Sequence, residues 1–434
     1  MKYNLTRLTI LPVFLVAGSL QAIISMDSLP SDQQKAFIGA LQATQRGDKS
    51  SLDIILRNNP NFTNIGDRKD GNTIAHHAAL RLHYEILRDL VRKRADLAAL
   101  NKHGQTVLDL LHFKLFDYIK NNADTQWVES FVGLFPQLIT MKDTNGRTLL
   151  YMAAAWGLLP LVEALIRSGA DINTSDRASS TPLHQAIVNK HRPIVNYLKN
   201  NGGIVYGKAD VMVIPSQSYK TALAQAARTI FGSVSGAQLF DEQDLHMSLA
   251  YVSFPINYNE NTDAYSKQAA AKLRAMFKVI FDRLGTSVSG VESFRMEGIG
   301  QRFGNNVHFT SLQTLGNVWA AVYTVPSHML SFFENVTVAA LRAYPDTRRT
   351  YAHPAPPHIA IARGANTYQG SENPLESAEF VGAIRTPVFP PEATLDELLK
   401  ISIRIPSMND RGYIEISKTW NELDAEYSAQ GYAE

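Results

Sequence analysis

Asn145-Gly-Arg-Thr-Leu-Leu-Tyr-Met-Ala-Ala154, followed by Leu161-Val-Glu-Ala-Leu-Ile-Arg-Ser-Gly-Ala-Asp-Ile-Asn173, is the stretch that decides the organisation of the first half of the chain. Read outward, its first part recurs as Asp70-Gly-Asn-Thr-Ile-Ala-His-His-Ala-Ala79, His103-Gly-Gln-Thr-Val-Leu-Asp109 and Ser180-Thr-Pro-Leu-His-Gln-Ala186. The shared threonines stand at 73, 106, 148 and 181, spaced by 33, 42 and 33 residues. The middle interval is one period with a nine-residue insertion near 121–127. A weaker unit spans Phe37 to Asp67. A fixed period of this length marks small helical units whose apolar faces are buried only by stacking on a neighbour.

These segments resemble ankyrin repeats, whose unit is a turn and two antiparallel helices. Leu161–Asn173 matches that family's second helix and glycine stop almost residue for residue. The resemblance covers about five repeats over residues 34–207, the first and third divergent. It implies that His76 and His184, at the repeat-turn histidine position, are structural and tie backbone between repeats. His76 and His77 are adjacent on a helix, so they do not converge on one metal ion. The concave face of such a stack binds protein partners; the residues do not say which.

Composition sets the outer bounds. The chain has 434 residues, 45% of them hydrophobic and 19% charged, which excludes disorder throughout. A formal charge of +2 argues against a strong polyanion binder. With no cysteine, disulfides, thiolate metal sites and cysteine nucleophiles are excluded. Residues 1–22 read as a signal peptide: Lys2 and Arg7 precede an apolar run from Leu8 to Leu20, and Ala22 marks a cleavage point. The run falls short of the roughly 20 residues that span a bilayer, although an uncleaved anchor is the alternative. The expectation is a secreted or periplasmic mature chain with no stable membrane span. A leader joined to ankyrin repeats looks like a bacterial protein exported toward a host cell.

From about Ala209 the period changes. Short β-like runs at 211–215, 245–254, 291–298, 307–312, 317–325, 400–405 and 412–418 alternate with helical patterns at 219–231, 263–284 and 327–344. This predicts an α+β domain with antiparallel sheets over 208–421 and a C-terminal tail at 422–434. Two runs carry chemistry: Leu245-His-Met-Ser-Leu-Ala250 and Pro357-His-Ile-Ala-Ile-Ala-Arg363. In a strand, a residue and the one two places on share a face. His246 with Ser248 therefore pairs an imidazole with a hydroxyl on one side, and His358 repeats the pattern with Ala360 at the hydroxyl position. Two imidazoles across a cleft supply a general acid and a general base.

This region resembles the two-histidine (2H, LigT-like) phosphoesterases, marked by two His-x-Thr/Ser motifs in two pseudo-symmetric lobes. The resemblance implies His246 and His358 as catalytic residues, Ser248 as a ligand of the substrate phosphate, and no metal or other cofactor. Glu297-Gly-Ile-Gly-Gln-Arg-Phe-Gly304 resembles the family's glycine-phenylalanine segment. Ala360 departs from the pattern and lacks the hydroxyl that would give one phosphate contact. His308-Phe-Thr310 is a rival second motif, but it precedes the second long helix, whereas the family's second motif follows it.

Two functions stay open. One is a metal-independent phosphodiesterase acting on an RNA end, a 2′,5′-linked oligonucleotide or a cyclic nucleotide. The other is an ankyrin adaptor whose 2H-like domain has lost catalysis and serves for interaction.

Overall fold

The computed structural model describes residues 23–121, 126–232, 236–285, 308–315, 318–324, 348–349, 358–363, 388–389, 399–409, 411–419, 422–423 and 425. The expected leader, the runs at 291–298 and 327–344 and the glycine-phenylalanine segment lie outside the described residues. The chain divides into two compact units. One comprises the residues up to 170 save 145–147, and the other comprises 145–147 and everything from 171 onward.

The first unit is helical. It holds α1 (Ser31–Arg46), α2 (Lys49–Asn58), α3 (Ile74–Leu80), α4 (Tyr84–Arg92), α5 (Val107–Asn121), α6 (Gln126–Leu134), α7 (Leu149–Ala155) and α8 (Leu159–Arg167). A two-residue parallel bridge joins β1 (Ile24–Ser25) to β2 (Ile65–Gly66). Helices of one kind stack on one another: α3 lies between α1 and α5, α5 meets α7, and α6 lies between α4 and α8. The seams are filled by small and branched side chains, among them Ala75, Ala78, Ala79, Leu87, Leu111, Leu115, Ala153 and Ala154, all buried. Alanine at the helix crossings lets the backbones approach, and leucine fills the space between layers.

The recurring threonine has a local cause. Thr73, Thr106 and Thr148 each accept, through Oγ1, the backbone N–H three residues on, from His76, Asp109 and Tyr151; in the second unit Thr181 does the same for His184. Each is the cap that satisfies an otherwise orphaned helix donor, a contact worth about 1 kcal/mol. Two residues before the threonine, Gly71, Gly104 and Gly146 turn the chain at φ 68°, 72° and 82°. At Gly146 a Cβ would come within 3.1 Å of the Arg177 nitrogen, so this turn needs both the left-handed φ and the missing side chain.

The second unit begins with the helix pair α9 (Pro182–Val188) and α10 (Arg192–Asn200) and continues into a sheet. The strands are β3 (Val205–Val213), β4 (Gln238–Leu239), β5 (Met247–Ile256), β6 (His308–Leu315), β7 (Val318–Thr324), β8 (Arg348–Arg349), β9 (His358–Arg363), β10 (Leu399–Pro406) and β11 (Tyr413–Thr419). Two helices accompany them, α11 (Gln217–Phe231) and α12 (Thr262–Gly285). The main path runs β11-β10-β3-β5-β9-β7-β6, every pairing antiparallel, with β4 added on β9 and β8 on β5. A helical region followed by antiparallel sheet is thus the observed order.

β3 starts at Val205, ahead of the sequence expectation at 211. The reason lies in Gly207: the Phe254 ring occupies the place of its absent Cβ, at 2.7 Å, so the ladder extends through a residue of low strand propensity. Under the sheet, the Tyr219 hydroxyl of α11 meets the Tyr323 hydroxyl of β7 at 2.6 Å, and both rings are buried. Among the described residues no helix is long and apolar enough to cross a membrane.

Candidate functional site

β5 and β9 are neighbours at the middle of the sheet. Met247 pairs with Ile359, and both side chains are fully buried. Directly opposed residues of an antiparallel ladder share a face. Met247 and Ile359 therefore mark the core side, and positions 248, 358 and 360 fall on the other. Extending the register sets position 248 opposite 358; His246, expected inside the strand, stands one residue before β5. On the far side of β9, His358 pairs with Val322 and Ala360 with Ala320. The side chains of Ser248 and His358 lie outside the described ones, as does the separation of the two imidazole rings.

A bulge decides which face His246 takes. β3 and β5 pair regularly from Val205↔Ile256 to Val211↔Ala250, then jump to Met212↔Ser248, which leaves Leu249 as an extra residue on β5. Strict alternation along 245–254 would place His246 on the face of Phe254, a core residue. The inserted residue reverses the parity, a device that re-aims side chains. Positions 246 and 248 thereby join Asp210 and Met212 of β3 on one face.

His246 is half-buried and held at both ring nitrogens. Its Nδ1 donates to the Asp244 carbonyl at 2.6 Å, and its Nε2 lies 3.5 Å from Asp210 Oδ2. Burial pulls its pKa down, but hydrogen bonding and charge from Asp210, with a smaller contribution from Asp244, outweigh this and leave it raised above the usual histidine range. Asp210 is a site residue that the sequence did not mark: it belongs to no motif and lies 36 residues before His246. Its neighbour on β10 is Ser402, whose hydroxyl donates to Glu415 at 3.0 Å.

The rival motif lies elsewhere. β6 is the end strand, so β7 and β9 stand between His308 and β5. Three inter-strand steps are about 14 Å. Thr310 falls at a second irregularity, between Phe309 and Ser311. His308 and Thr310 are therefore not brought together with His246, whereas the His358 strand is.

The repeat histidines differ from each other. His76 is fully buried; its Nδ1 meets Thr73 Oγ1 at 2.8 Å and its Nε2 meets the Gln105 carbonyl at 3.1 Å, 29 residues on. His184 departs from this pattern. The Thr181 hydroxyl donates instead to the Ile204 carbonyl at 2.7 Å, and His184 Nδ1 is sealed with no hydrogen-bond partner. After this helix pair the chain enters β3 and not another repeat, so the acceptor that a next repeat would offer is replaced by the strand. Burial and the nearby Lys208 charge push the His184 pKa down to about 4. Among the described residues no group of three or more His, Asp or Glu side chains could hold a metal ion.

Residues 115–210 match the family model described as ankyrin repeats, in three copies. The chain carries ankyrin repeats. It is 36% identical over 73 residues to the serine/threonine-protein kinase VIK of Arabidopsis thaliana, covering 17% of each chain. It is 25% identical over 190 residues to the putative E3 ubiquitin-protein ligase XBAT31 of the same plant, covering 41% of this chain and 40% of that one. To Rabankyrin-5 of Mus musculus it is 34% identical over 97 residues, 21% of this chain and 8% of the relative. The chain thus spans between 8% and 40% of the length of these curated relatives.

Proposed function

We propose that the sheet domain is a metal-independent phosphodiesterase of the two-histidine type, acting on an RNA end, a 2′,5′-linked oligonucleotide or a cyclic nucleotide, and that the ankyrin repeats bind a protein partner. One observation supports the reading: Met247 of β5 pairs with Ile359 of β9, so the strands that carry Ser248 and His358 are neighbours and His246 stands at the start of one of them. Opposed and diagonal positions of neighbouring strands are separated by roughly 5–8 Å, and His246 stands one residue before β5. A phosphate with its two ester oxygens bridges such a span. One imidazole then removes a proton from the attacking water, and the other protonates the leaving oxygen. Ser248, opposite position 358, donates to a non-bridging oxygen.

The test is a panel of 2′,3′-cyclic nucleotides and short oligonucleotides incubated with the full chain in the presence of EDTA. Turnover is expected to persist with chelator and to fall on the order of 10²–10⁴-fold in His246→Ala and in His358→Ala. Ser248→Ala is expected to lose less, because the hydroxyl binds and moves no proton. Activity lost to chelator and restored by a divalent metal would overturn the reading, as would full activity in His246→Ala.

Ala360 favours a second reading, a domain that keeps the fold and only binds. A missing charge-assisted contact to phosphate removes about 1.5–3 kcal/mol. Under the catalytic reading Ala360→Thr keeps or raises turnover. Under the binding reading, neither the wild type nor this variant turns over any member of the panel.

A further inference from the structure

We infer that Asp210 is the positioning residue that fixes His246 as the proton donor of the site, leaving the base to His358. The inference rests on the phosphodiesterase reading for its consequence, but its geometry stands on His246, Asp244 and Asp210 alone.

Two acceptors face the His246 ring. A backbone carbonyl only accepts, so the 2.6 Å contact from Nδ1 to Asp244 requires a proton on Nδ1. A carboxylate also only accepts, and Asp210 Oδ2 faces Nε2 at 3.5 Å. A neutral ring protonated at Nδ1 would turn the Nε2 lone pair toward that carboxylate. The doubly protonated ring satisfies both partners. An imidazolium gives a proton and cannot take one, so this histidine suits the leaving-group side of the reaction.

Asp210 is itself well anchored. It sits in an interior strand, paired with Tyr251 of β5 and Ser402 of β10, so its backbone is fixed from both sides. The bulge at Leu249 delivers His246 to its face. Other charged and titratable groups among the described residues stand on the neighbouring elements. Asp244 and Glu242 lie on the segment leading into β5, where Glu242 is engaged by Gln217 and Thr221 of α11. Lys208 lies two residues before Asp210 on the same face of β3. Lys400 and Arg404 flank Ser402 on β10, with Arg404 held by Glu415 and against the Tyr413 ring. On β9 the facing positions are His358 and Ala360.

The step balances without a co-reactant other than water. The water oxygen bonds to phosphorus while His358 takes its proton. The phosphorus–leaving-oxygen bond breaks, its electron pair stays on that oxygen, and the Nε2 proton of His246, held only by the long 3.5 Å contact with Asp210, passes to it. Proton exchange with solvent then resets the pair, and Asp210 draws the new proton to His246.

The experiment uses full-length protein labelled with ¹⁵N and ¹³C histidine, with the His246 signals assigned from His246→Gln. Wild type, Asp210→Asn and Asp210→Glu are titrated by NMR, and their pH–rate profiles are recorded on the diester that turns over fastest. The His246 midpoint is expected to fall in Asp210→Asn and to return in Asp210→Glu, with Nδ1 protonated throughout. The alkaline limb of the rate profile is expected to move to lower pH with it. Turnover is then expected to be lost on the alkaline side of the profile and kept on the acid side. An unmoved midpoint in Asp210→Asn refutes the pairing. A moved midpoint with an unmoved alkaline limb refutes the donor role. Absence of turnover across the panel in wild type defeats the phosphodiesterase reading and the donor role with it, while the titration still decides the pairing.

Discussion

Arg94→Gly is expected to stabilise the helical unit, against the usual effect of placing glycine in a structured segment. The reason is a repeated backbone position. Arg94, Gly169 and Gly202 each follow their repeat threonine by 21 residues and end the second helix of their pair, at φ 56°, 93° and 85°. Two of the three are glycine, as this left-handed turn favours. Arg94 is exposed, so its side chain gives up little packing. Holding a side chain in this region costs roughly 1–2 kcal/mol, and glycine returns roughly 0.5–1 kcal/mol of that as extra chain entropy lost on folding. The net gain is about 0.5–1 kcal/mol. For a unit of this size it raises the melting temperature by about 1–4 °C. Gly169→Ala is the mirror experiment. A Cβ there meets nothing within 4 Å, so any loss is conformational and not steric, and should be about 1 kcal/mol. Calorimetry and urea unfolding of the two variants and their combination measure this, and the combination should be additive within about 0.5 kcal/mol. A lowered melting temperature for Arg94→Gly, or an unchanged one for Gly169→Ala, refutes the argument.

The remaining predictions concern buried polar groups. His184 has a folded pKa of about 4 against an unfolded value near 6.5, so the unfolded chain binds the extra proton between them. Stability is therefore lost as pH falls from 6.5 toward 4, by at most about 3 kcal/mol, and His184→Gln should flatten that part of the urea-midpoint profile relative to wild type. Tyr323→Phe strands the Tyr219 hydroxyl beneath the sheet and should cost about 1–3 kcal/mol, visible as a lower unfolding midpoint of the second unit. His76→Ala removes the link from Thr73 to the Gln105 carbonyl from a fully buried site and should cost about 2–4 kcal/mol in calorimetry of the first unit, with His76→Gln recovering part of it.

The repeat half was legible because its signals are local. A threonine caps the N–H three residues on whatever lies around it, and a glycine takes a positive φ by its own sterics, so a 33-residue period in these residues reports the turns directly. Where that logic depends on a partner it breaks. His76 and His184 occupy the same motif position, yet only His76 bridges to the next repeat, because only it has a next repeat in the helical array. Ser179 likewise takes the turn position that Gly71, Gly104 and Gly146 fill, at φ 60°, so the left-handed turn survives without the residue that announces it.

The sheet half shows the opposite balance. The histidine motifs were visible as apolar runs with a polar residue at period two, and the order of elements suggested that their strands meet. Nothing in the sequence marked Asp210, because its role depends on one unpaired residue in another strand. If Leu249 took a regular place in the ladder, the strand would run in a single parity along its length. His246 would turn toward the core beside Phe254, and Asp210 would stand on the opposite face without it. The side-chain parity of β5 is fixed at one end by Phe254 filling the space over Gly207, and at the other by Met247 packing with Ile359. Both ends must point inward, and they are seven residues apart, an odd interval that period-two alternation cannot satisfy. One extra residue between them is the solution that buries both. The placement of His246 against Asp210 is thus a consequence of core packing at the two ends of one strand, so the geometry of this histidine–aspartate pair is set by hydrophobic residues on the opposite face.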